Sequence, residues 1–111
     1  MTRSAITTHA LDTAEGHPAR GVPVRLEART PDGWRELGSG RTDADGRCTD
    51  LGPDRVEAGD FRLTFDTAAY YGDRATFFPE VTVTFTVADP QQHHHVPLLL
   101  SPFAISTYRG S

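Results

Sequence analysis

The sequence predicts an all-β sandwich of two antiparallel sheets with one short helix, formed by a single domain over residues 1–111. Two observations carry this prediction. Apolar and polar residues alternate along several segments, as where threonines separate Val81, Val83, Phe85 and Val87, and this pattern is typical of a half-buried antiparallel strand. Turn signals rich in Gly, Pro and Asp separate these segments, and no low-complexity tract or linker divides the chain.

The first half of the chain contains two predicted strands. Residues 5–11 form a strand-like stretch, and residues 22–28 alternate between apolar and polar side chains. Pro31-Asp32-Gly33 and Asp45-Gly46 are turn signals that bound the segments around them. The alternation returns at residues 61–65, where a further strand is predicted.

The second half contains the predicted helix and the most polar strand. A short helix is predicted over residues 67–73, because Asp66 can cap its start and Gly72 lies near its end. After the next strand, Asp89-Pro90 marks a turn, and a strand-like run follows over residues 93–102.

Three consecutive histidines, His93 to His95, begin that run and are the local feature with the most potential for chemistry. Side chains alternate across a strand, so His93 and His95 are predicted to share one face while His94 points toward the core. Pro97 and Leu99 continue the face of His95 and make it unusually apolar for a solvent-exposed surface. A second subunit is the predicted cover, which would put any site on this face at a subunit interface.

Residue types alone leave other interpretations open. The triplet also fits a solvated polar lead-in to a strand, or a zinc pair completed by His9. No second Cys/His motif and no nearby carboxylate in sequence support zinc, so no metal is predicted. A calcium loop around Gly46 is disfavoured, because Arg41 and Gly52 stand where acidic ligands are needed. Considered alone, His9 would be an ordinary packed or exposed histidine and Arg47 a surface charge.

Composition excludes several classes of partner. The net charge is −4, and basic and acidic residues are interspersed, which argues against binding nucleic acid or an anionic membrane. Cys48 is the single cysteine and cannot form an internal disulfide. The first twenty residues hold no apolar run long enough for a signal peptide or anchor, so a cytoplasmic location is expected.

Several motifs of this chain occur together in one known family. They are His9-Ala10-Leu11-Asp12-Thr13, Thr42-Asp43, Asp45-Gly46-Arg47, Phe78-Pro79-Glu80-Val81, the run from His93 to Pro102, and the ending Tyr108-Arg109-Gly110-Ser111. Over nearly its whole length the sequence resembles the 5-hydroxyisourate hydrolases of the transthyretin-like family. Two positions depart from the family pattern: His94 replaces the usual aromatic residue, and Ile105 stands where tyrosine is common.

The resemblance implies an enzyme of purine metabolism that opens the lactam ring of 5-hydroxyisourate to give 2-oxo-4-hydroxy-4-carboxy-5-ureidoimidazoline, during urate degradation to allantoin. Such a hydrolysis needs a base for water, a donor for the oxyanion and a surface that positions the ring. The implied catalytic residues are His9, Arg47, His95 and Ser111. The implied substrate-binding residues are His9, Arg47, Tyr108, Arg109 and Gly110.

The resemblance also implies a transthyretin-like sandwich, a homotetramer with its sites at subunit interfaces, and no cofactor. By hypothesis His9 is the base, assisted by Ser111, while His95 binds substrate or relays a proton and Arg47 stabilises oxygen charge. Sandwiches of this kind also serve as hormone carriers, so a binding protein is the alternative function. Carriers of that kind lack the terminal Tyr-Arg-Gly-Ser and the matched histidines that this chain has.

Overall fold

The computed structural model describes residues 3–111, which fold into nine strands and one short helix. In chain order the elements are β1 (Ile6–Asp12), β2 (His17–Pro18), β3 (Pro23–Thr30), β4 (Gly33–Arg41), β5 (Arg47–Cys48), β6 (Gly59–Phe65), α1 (Thr67–Tyr71), β7 (Val81–Val87), β8 (His94–Ser101) and β9 (Ala104–Thr107). Sheet A has the order β2-β1-β8-β9, with β5 also paired to β1, and sheet B has the order β4-β3-β6-β7. The predicted all-β sandwich is confirmed.

The strands of sheet B follow the alternation seen in the sequence. In β7, Val81 and Val87 are buried while the intervening threonines are exposed. Phe61 and Phe65 of β6 lie in the core. The hairpin between β3 and β4 closes at Gly33, whose φ of 134° lies in the region that favours glycine. The period-two pattern therefore sets which face of each strand meets the opposite sheet.

The helix begins where the sequence predicts it and ends at Tyr71, two residues before the predicted end. The Asp66 carboxylate accepts a hydrogen bond of 3.0 Å from the amide of Ala69, and Gly72 forms the C-cap with a φ of 62°. No helix among residues 3–111 is long and apolar enough to cross a membrane.

One strand pair differs from the antiparallel arrangement expected. Strands β1 and β8 run parallel, with Thr7 opposite His95 and His9 opposite Pro97. No hairpin joins these strands, because all four strands of sheet B lie between them in the sequence. Strand β8 then returns to sheet A in the same direction as β1. This parallel register brings the N-terminal and C-terminal histidines side by side.

The core lies between the sheets and extends to the ends of β1 and β8. The largest fully buried apolar side chains are Phe65, Ile6, Leu26, Leu51, Leu63, Leu98, Leu100, Val22 and Val87. Both sheets contribute to this set, so burying the apolar faces holds the layers together.

A buried carboxylate at the end of β1 ties the helix region to sheet A. Asp12 accepts a 2.6 Å hydrogen bond from the Tyr70 hydroxyl and two further bonds from the amides of Ala14 and Glu15. Burial raises the pKa of Asp12, but these hydrogen bonds outweigh burial, so its pKa lies below the usual value. Burial and the neighbouring carboxylate raise the pKa of Tyr70 to about 12. This contact fixes the end of the strand that carries His9.

Candidate active site

The outer face of sheet A collects three of the sequence-predicted catalytic residues. His9 on β1 is directly opposite Arg47 on β5 across one strand pairing, and its ring centroid lies 6.4 Å from that of His95 on β8. Thr7 shares the face of His9 because the two residues are two positions apart on one strand. The candidate active site is therefore built from strands, which hold side chains more rigidly than loops do.

The ring of His9 is oriented by the backbone. Its Nε2 lies 2.8 Å from the carbonyl oxygen of Asp45. A carbonyl oxygen only accepts hydrogen bonds, so Nε2 carries the hydrogen and donates it. In the neutral ring, Nδ1 is then the nitrogen with a free lone pair and the one able to accept a proton.

A tight turn brings Asp45 and Arg47 to His9. The Asp43 carboxylate accepts hydrogen bonds from the amides of Asp45 at 2.8 Å and of Arg47 at 3.0 Å. Gly46 has a φ of 78°, and a Cβ there would lie 2.3 Å from the carbonyl oxygen of Ala10. Glycine is thus required for the turn to pack against β1, and the exposed Arg47 side chain is left free to meet a ligand.

His95 is held by a hydroxyl on the neighbouring strand. Its Nδ1 lies 2.8 Å from Oγ1 of the buried Thr7, and the same oxygen lies 2.8 Å from Nε2 of His93. Burial lowers the pKa of His95, and the positive charge of Arg47 lowers it further. The ring is accordingly neutral near pH 7 and able to exchange a proton.

The C-terminal residues pack back onto this histidine. The amide of Gly110 donates a 2.8 Å hydrogen bond to the carbonyl of His95, forming an isolated β-bridge. A Cβ at position 110 would lie 2.7 Å from Cδ2 of His95 and 3.2 Å from Cγ of Pro97. The glycine of the terminal motif therefore lets the chain end lie directly against the imidazole.

The other terminal residues lie around that contact. Tyr108 and Arg109 line a groove of about 280 Å³ between the start of β8 and the edge strand β7, and His95 lines it too. The guanidinium of Arg109 donates a 2.9 Å hydrogen bond to the Gln92 side chain. Ser111 is exposed, and within residues 3–111 its hydroxyl makes no hydrogen bond. The structure thus brings Gly110 into the histidine cluster and leaves Tyr108, Arg109 and Ser111 at its rim.

The histidine triplet adopts the predicted alternation. His94 is buried on the core side, and the carbonyl of Gln92 accepts a 3.0 Å hydrogen bond from its Nδ1. That contact supplies the partner that an imidazole on the core side of the strand requires. Sequence reasoning gave no role to Thr7 or His93, although the alternation along β1 places Thr7 on the same face as His9. His17, which has no motif match, is exposed on β2.

A second cavity lies apart from this cluster, and the described residues form no metal-ligand group. This larger cavity, of about 880 Å³, borders β3 and β4 and is lined by acidic and basic side chains together, but by none of the predicted site residues. In the described part of the chain, no group of three or more His, Cys, Asp or Glu side chains is arranged to hold a metal ion.

Comparison with known proteins supports the resemblance found in the sequence. The model of the HIUase/Transthyretin family matches residues 6–110. The chain is 46% identical over 109 residues to the 5-hydroxyisourate hydrolase of Salmonella dublin. The aligned region covers 96% of this chain and 80% of that relative.

A solved hydrolase structure and a solved transthyretin structure share this fold. The 5-hydroxyisourate hydrolase of Klebsiella pneumoniae superposes with a TM-score of 0.85 at 33% identity, covering 100% of both chains. Sea bream transthyretin in complex with thyroxine superposes with a TM-score of 0.89 at 32% identity, covering 96% of this chain and 94% of that one. Fold similarity alone therefore does not separate an enzyme from a carrier, and the site residues must.

Proposed function

This chain belongs to the HIUase/Transthyretin family, and we propose that it is a hydrolase that opens the lactam ring of 5-hydroxyisourate in urate degradation. Relatives named 5-hydroxyisourate hydrolase, including those of Salmonella dublin, Mus musculus and Caulobacter vibrioides, are 40–46% identical over nearly the full chain. The observation that carries the proposal is the meeting of His9, Arg47 and His95 on one face of sheet A.

His9 is the proposed general base. Its Nε2–H is occupied by the Asp45 carbonyl, so Nδ1 accepts the proton of the attacking water. The water oxygen then bonds to the lactam carbonyl carbon, and negative charge develops on the carbonyl oxygen. Ser111 assists by orienting the water through its exposed hydroxyl.

Arg47 and His95 complete the proposed reaction. The guanidinium of Arg47 stabilises the developing oxyanion by charge-assisted hydrogen bonds, which its planar shape allows in pairs. When the ring C–N bond breaks, the leaving nitrogen takes up a proton from Nε2 of His95, because Thr7 occupies its Nδ1. The proton that His9 took from the water replaces it, so both histidines end the reaction neutral. The product is 2-oxo-4-hydroxy-4-carboxy-5-ureidoimidazoline, and no cofactor enters this scheme.

The terminal motif is proposed to shape the substrate pocket. Tyr108 is 56% exposed in the isolated chain and offers an aromatic surface beside the groove next to His95. Gly110 allows close approach of the substrate ring to His95, because it adds no side chain. Arg109, held by Gln92, keeps the segment in this position and adds positive charge.

We further propose that the chain assembles as a homotetramer with its sites at subunit interfaces. On the outer face of sheet A Leu99 is half-buried, and Phe103 at the β8–β9 turn is 69% exposed, whereas Pro97 is already covered within the chain. An apolar face next to polar site residues is typical of a surface that a second subunit covers. Light scattering coupled to size-exclusion chromatography tests this assembly, and a stable, active monomer would rule it out.

The proposed location is the cytoplasm. Cys48 is a free, buried thiol, and burial together with nearby Asp50 raises its pKa to about 11. A protein with one cysteine in this state needs no oxidising compartment for folding. Fractionation of cells that express the chain, with detection by antibody, tests the location.

The activity is tested by following 5-hydroxyisourate directly. Urate oxidase generates the compound from urate in the cuvette, and its ultraviolet absorbance reports the decay with and without the protein. The compound also decays unaided, so acceleration in proportion to protein concentration is the expected result. An unchanged decay curve with folded protein would reject hydrolysis and make a binding role, as in the thyroxine complex of sea bream transthyretin, the leading hypothesis.

A further inference from the structure

One buried threonine links two histidines through a single oxygen. Thr7 is 1% exposed, and its Oγ1 lies 2.8 Å from Nε2 of His93 and 2.8 Å from Nδ1 of His95. The parallel register of β1 and β8 creates this contact, because it puts Thr7 directly opposite His95. His93, two residues earlier, lies on the same side and reaches the same hydroxyl.

Hydrogen counting restricts the protonation of this group. A hydroxyl has one hydrogen to donate, and a nitrogen of a neutral imidazole either carries a hydrogen or has a lone pair. Among the described residues, Thr7 Oγ1 contacts no other hydrogen-bonding partner through its side chain. Both contacts are satisfied, with every hydrogen used, only when one of the two facing nitrogens carries a hydrogen and the other is bare.

We propose that Thr7 and His93 are positioning residues that set the tautomer of His95. The hydroxyl couples the rings, so a hydrogen on Nε2 of His93 leaves Nδ1 of His95 bare and puts the His95 hydrogen on Nε2. The opposite arrangement leaves a lone pair on Nε2 of His95. The ring therefore meets substrate either as a donor or as an acceptor, and His93 selects which. This inference rests on the proposed function only for its kinetic consequence.

The surroundings of the two rings agree with neutral forms. Burial lowers the pKa of His93, with Arg3 and His94 adding to the effect. Burial also lowers the pKa of His95, to which Arg47, His9, His93 and Arg3 contribute. The hydrogen counting requires at least one neutral ring, since two doubly protonated rings would leave no bare nitrogen to accept from Thr7.

The direct test is ¹⁵N NMR of the imidazole nitrogens, which distinguishes protonated from bare nitrogen without any substrate. At pH 7.5 the wild-type protein is expected to show a hydrogen on only one of the two nitrogens that face Thr7. Thr7→Val removes the hydroxyl at nearly constant volume and should change the tautomer ratio of both rings. Thr7→Ser restores the hydroxyl and should restore the wild-type spectrum.

A neighbouring threonine provides the matched control. Thr8 is also buried, but its hydroxyl donates to the Val96 carbonyl rather than to a histidine. Thr8→Val should lower stability to a similar degree and leave both imidazole spectra as in the wild type. If Thr7→Val leaves the spectra unchanged, or Thr8→Val changes them equally, the coupling is refuted.

Kinetics then test the consequence for catalysis. Thr7→Val is expected to lower kcat by about 10- to 100-fold with KM changed less than threefold, because proton transfer typically contributes 10²–10⁴-fold to rate. Thr7→Ser should recover most of the loss. Wild-type kcat in Thr7→Val would overturn the positioning role. A wild-type protein that does not accelerate 5-hydroxyisourate decay would instead reject the proposed function, while the NMR result would still decide the coupling.

Discussion

Adding one methyl group at Gly110 tests whether the chain end packs on His95 in the working protein. In Gly110→Ala the new Cβ would lie 2.7 Å from Cδ2 of the His95 ring, whereas ordinary contact begins at 3.4 Å. The difference, 3.4 minus 2.7, is 0.7 Å, and either the imidazole or the terminal segment must move by about that distance. Position 110 does not need glycine for its backbone, because its φ is not positive. The substitution therefore tests the contact alone.

The expected effect is on catalysis more than on folding. Misplacing a catalytic group by about 1 Å can cost roughly 100-fold in rate, so a shift of this size should lower kcat/KM by roughly 10- to 100-fold. That range corresponds to about 1.4–2.7 kcal/mol of lost transition-state stabilisation. Stability should fall by no more than about 1.5 kcal/mol, the value of the single hydrogen bond between Gly110 and His95.

The assay measures kcat/KM from the ultraviolet decay of 5-hydroxyisourate, and urea denaturation measures the free energy of unfolding. Gly33→Ala is the matched control, because Gly33 has a φ of 134° and a Cβ there meets nothing within 4 Å. It should lose about 1–3 kcal/mol of stability through backbone strain and keep wild-type kcat/KM. Wild-type kcat/KM in Gly110→Ala, or an equal loss in both variants, would refute the proposed contact.

Three other expectations concern charge and protonation. Arg47→Lys keeps the positive charge but loses the planar pair of donors, so kcat/KM should fall by about 100-fold; near-normal activity would mean that charge alone suffices. Tyr70→Phe removes the hydroxyl that donates to buried Asp12, and it should lower the free energy of unfolding by about 1–3 kcal/mol. Urea denaturation measures this loss, and an unchanged urea midpoint would contradict the role of that contact. The pKa values of His93 and His95 are lowered in the folded chain, so below about pH 6.5 the unfolded chain binds more protons than the folded chain. The free energy of unfolding should therefore fall as the pH drops through that value. Urea titrations from pH 7.5 to 5.5 measure the slope of the unfolding free energy against pH. This slope should flatten in His93→Gln, and it would be absent if the two imidazole pKa values were the same in the folded and unfolded chains.

Local pattern was sufficient to predict most of the fold. The alternation at residues 81–87 predicted the buried and exposed faces of β7, and Asp66 predicted the start of the helix. Both signals act over a few residues and need no knowledge of distant contacts. The parallel pairing of β1 and β8 was not predictable in this way, because no turn joins the two strands and nothing local fixes their direction.

The candidate site was predictable in its members but not in its contacts. Motif resemblance supplied His9, Arg47 and His95, and alternation predicted that His93 shares a face with His95. The hydrogen bond from His9 to the Asp45 carbonyl and the double contact of Thr7 depend on three strands meeting in one register. A threonine in a strand is ordinary in composition, so only the register gives it a role.

The central claim is that the outer face of sheet A carries out the hydrolysis, and the most direct test compares two histidine variants. His9→Ala removes the proposed base, whereas His17→Ala removes an exposed histidine whose ring hydrogen-bonds to the carbonyl of Pro18, away from the site. The measurement is kcat/KM for 5-hydroxyisourate in both variants, with circular dichroism to confirm that each is folded. We predict a loss of about 100-fold or more in His9→Ala and wild-type activity in His17→Ala. Full activity in folded His9→Ala would contradict the account and transfer the role of base to His95.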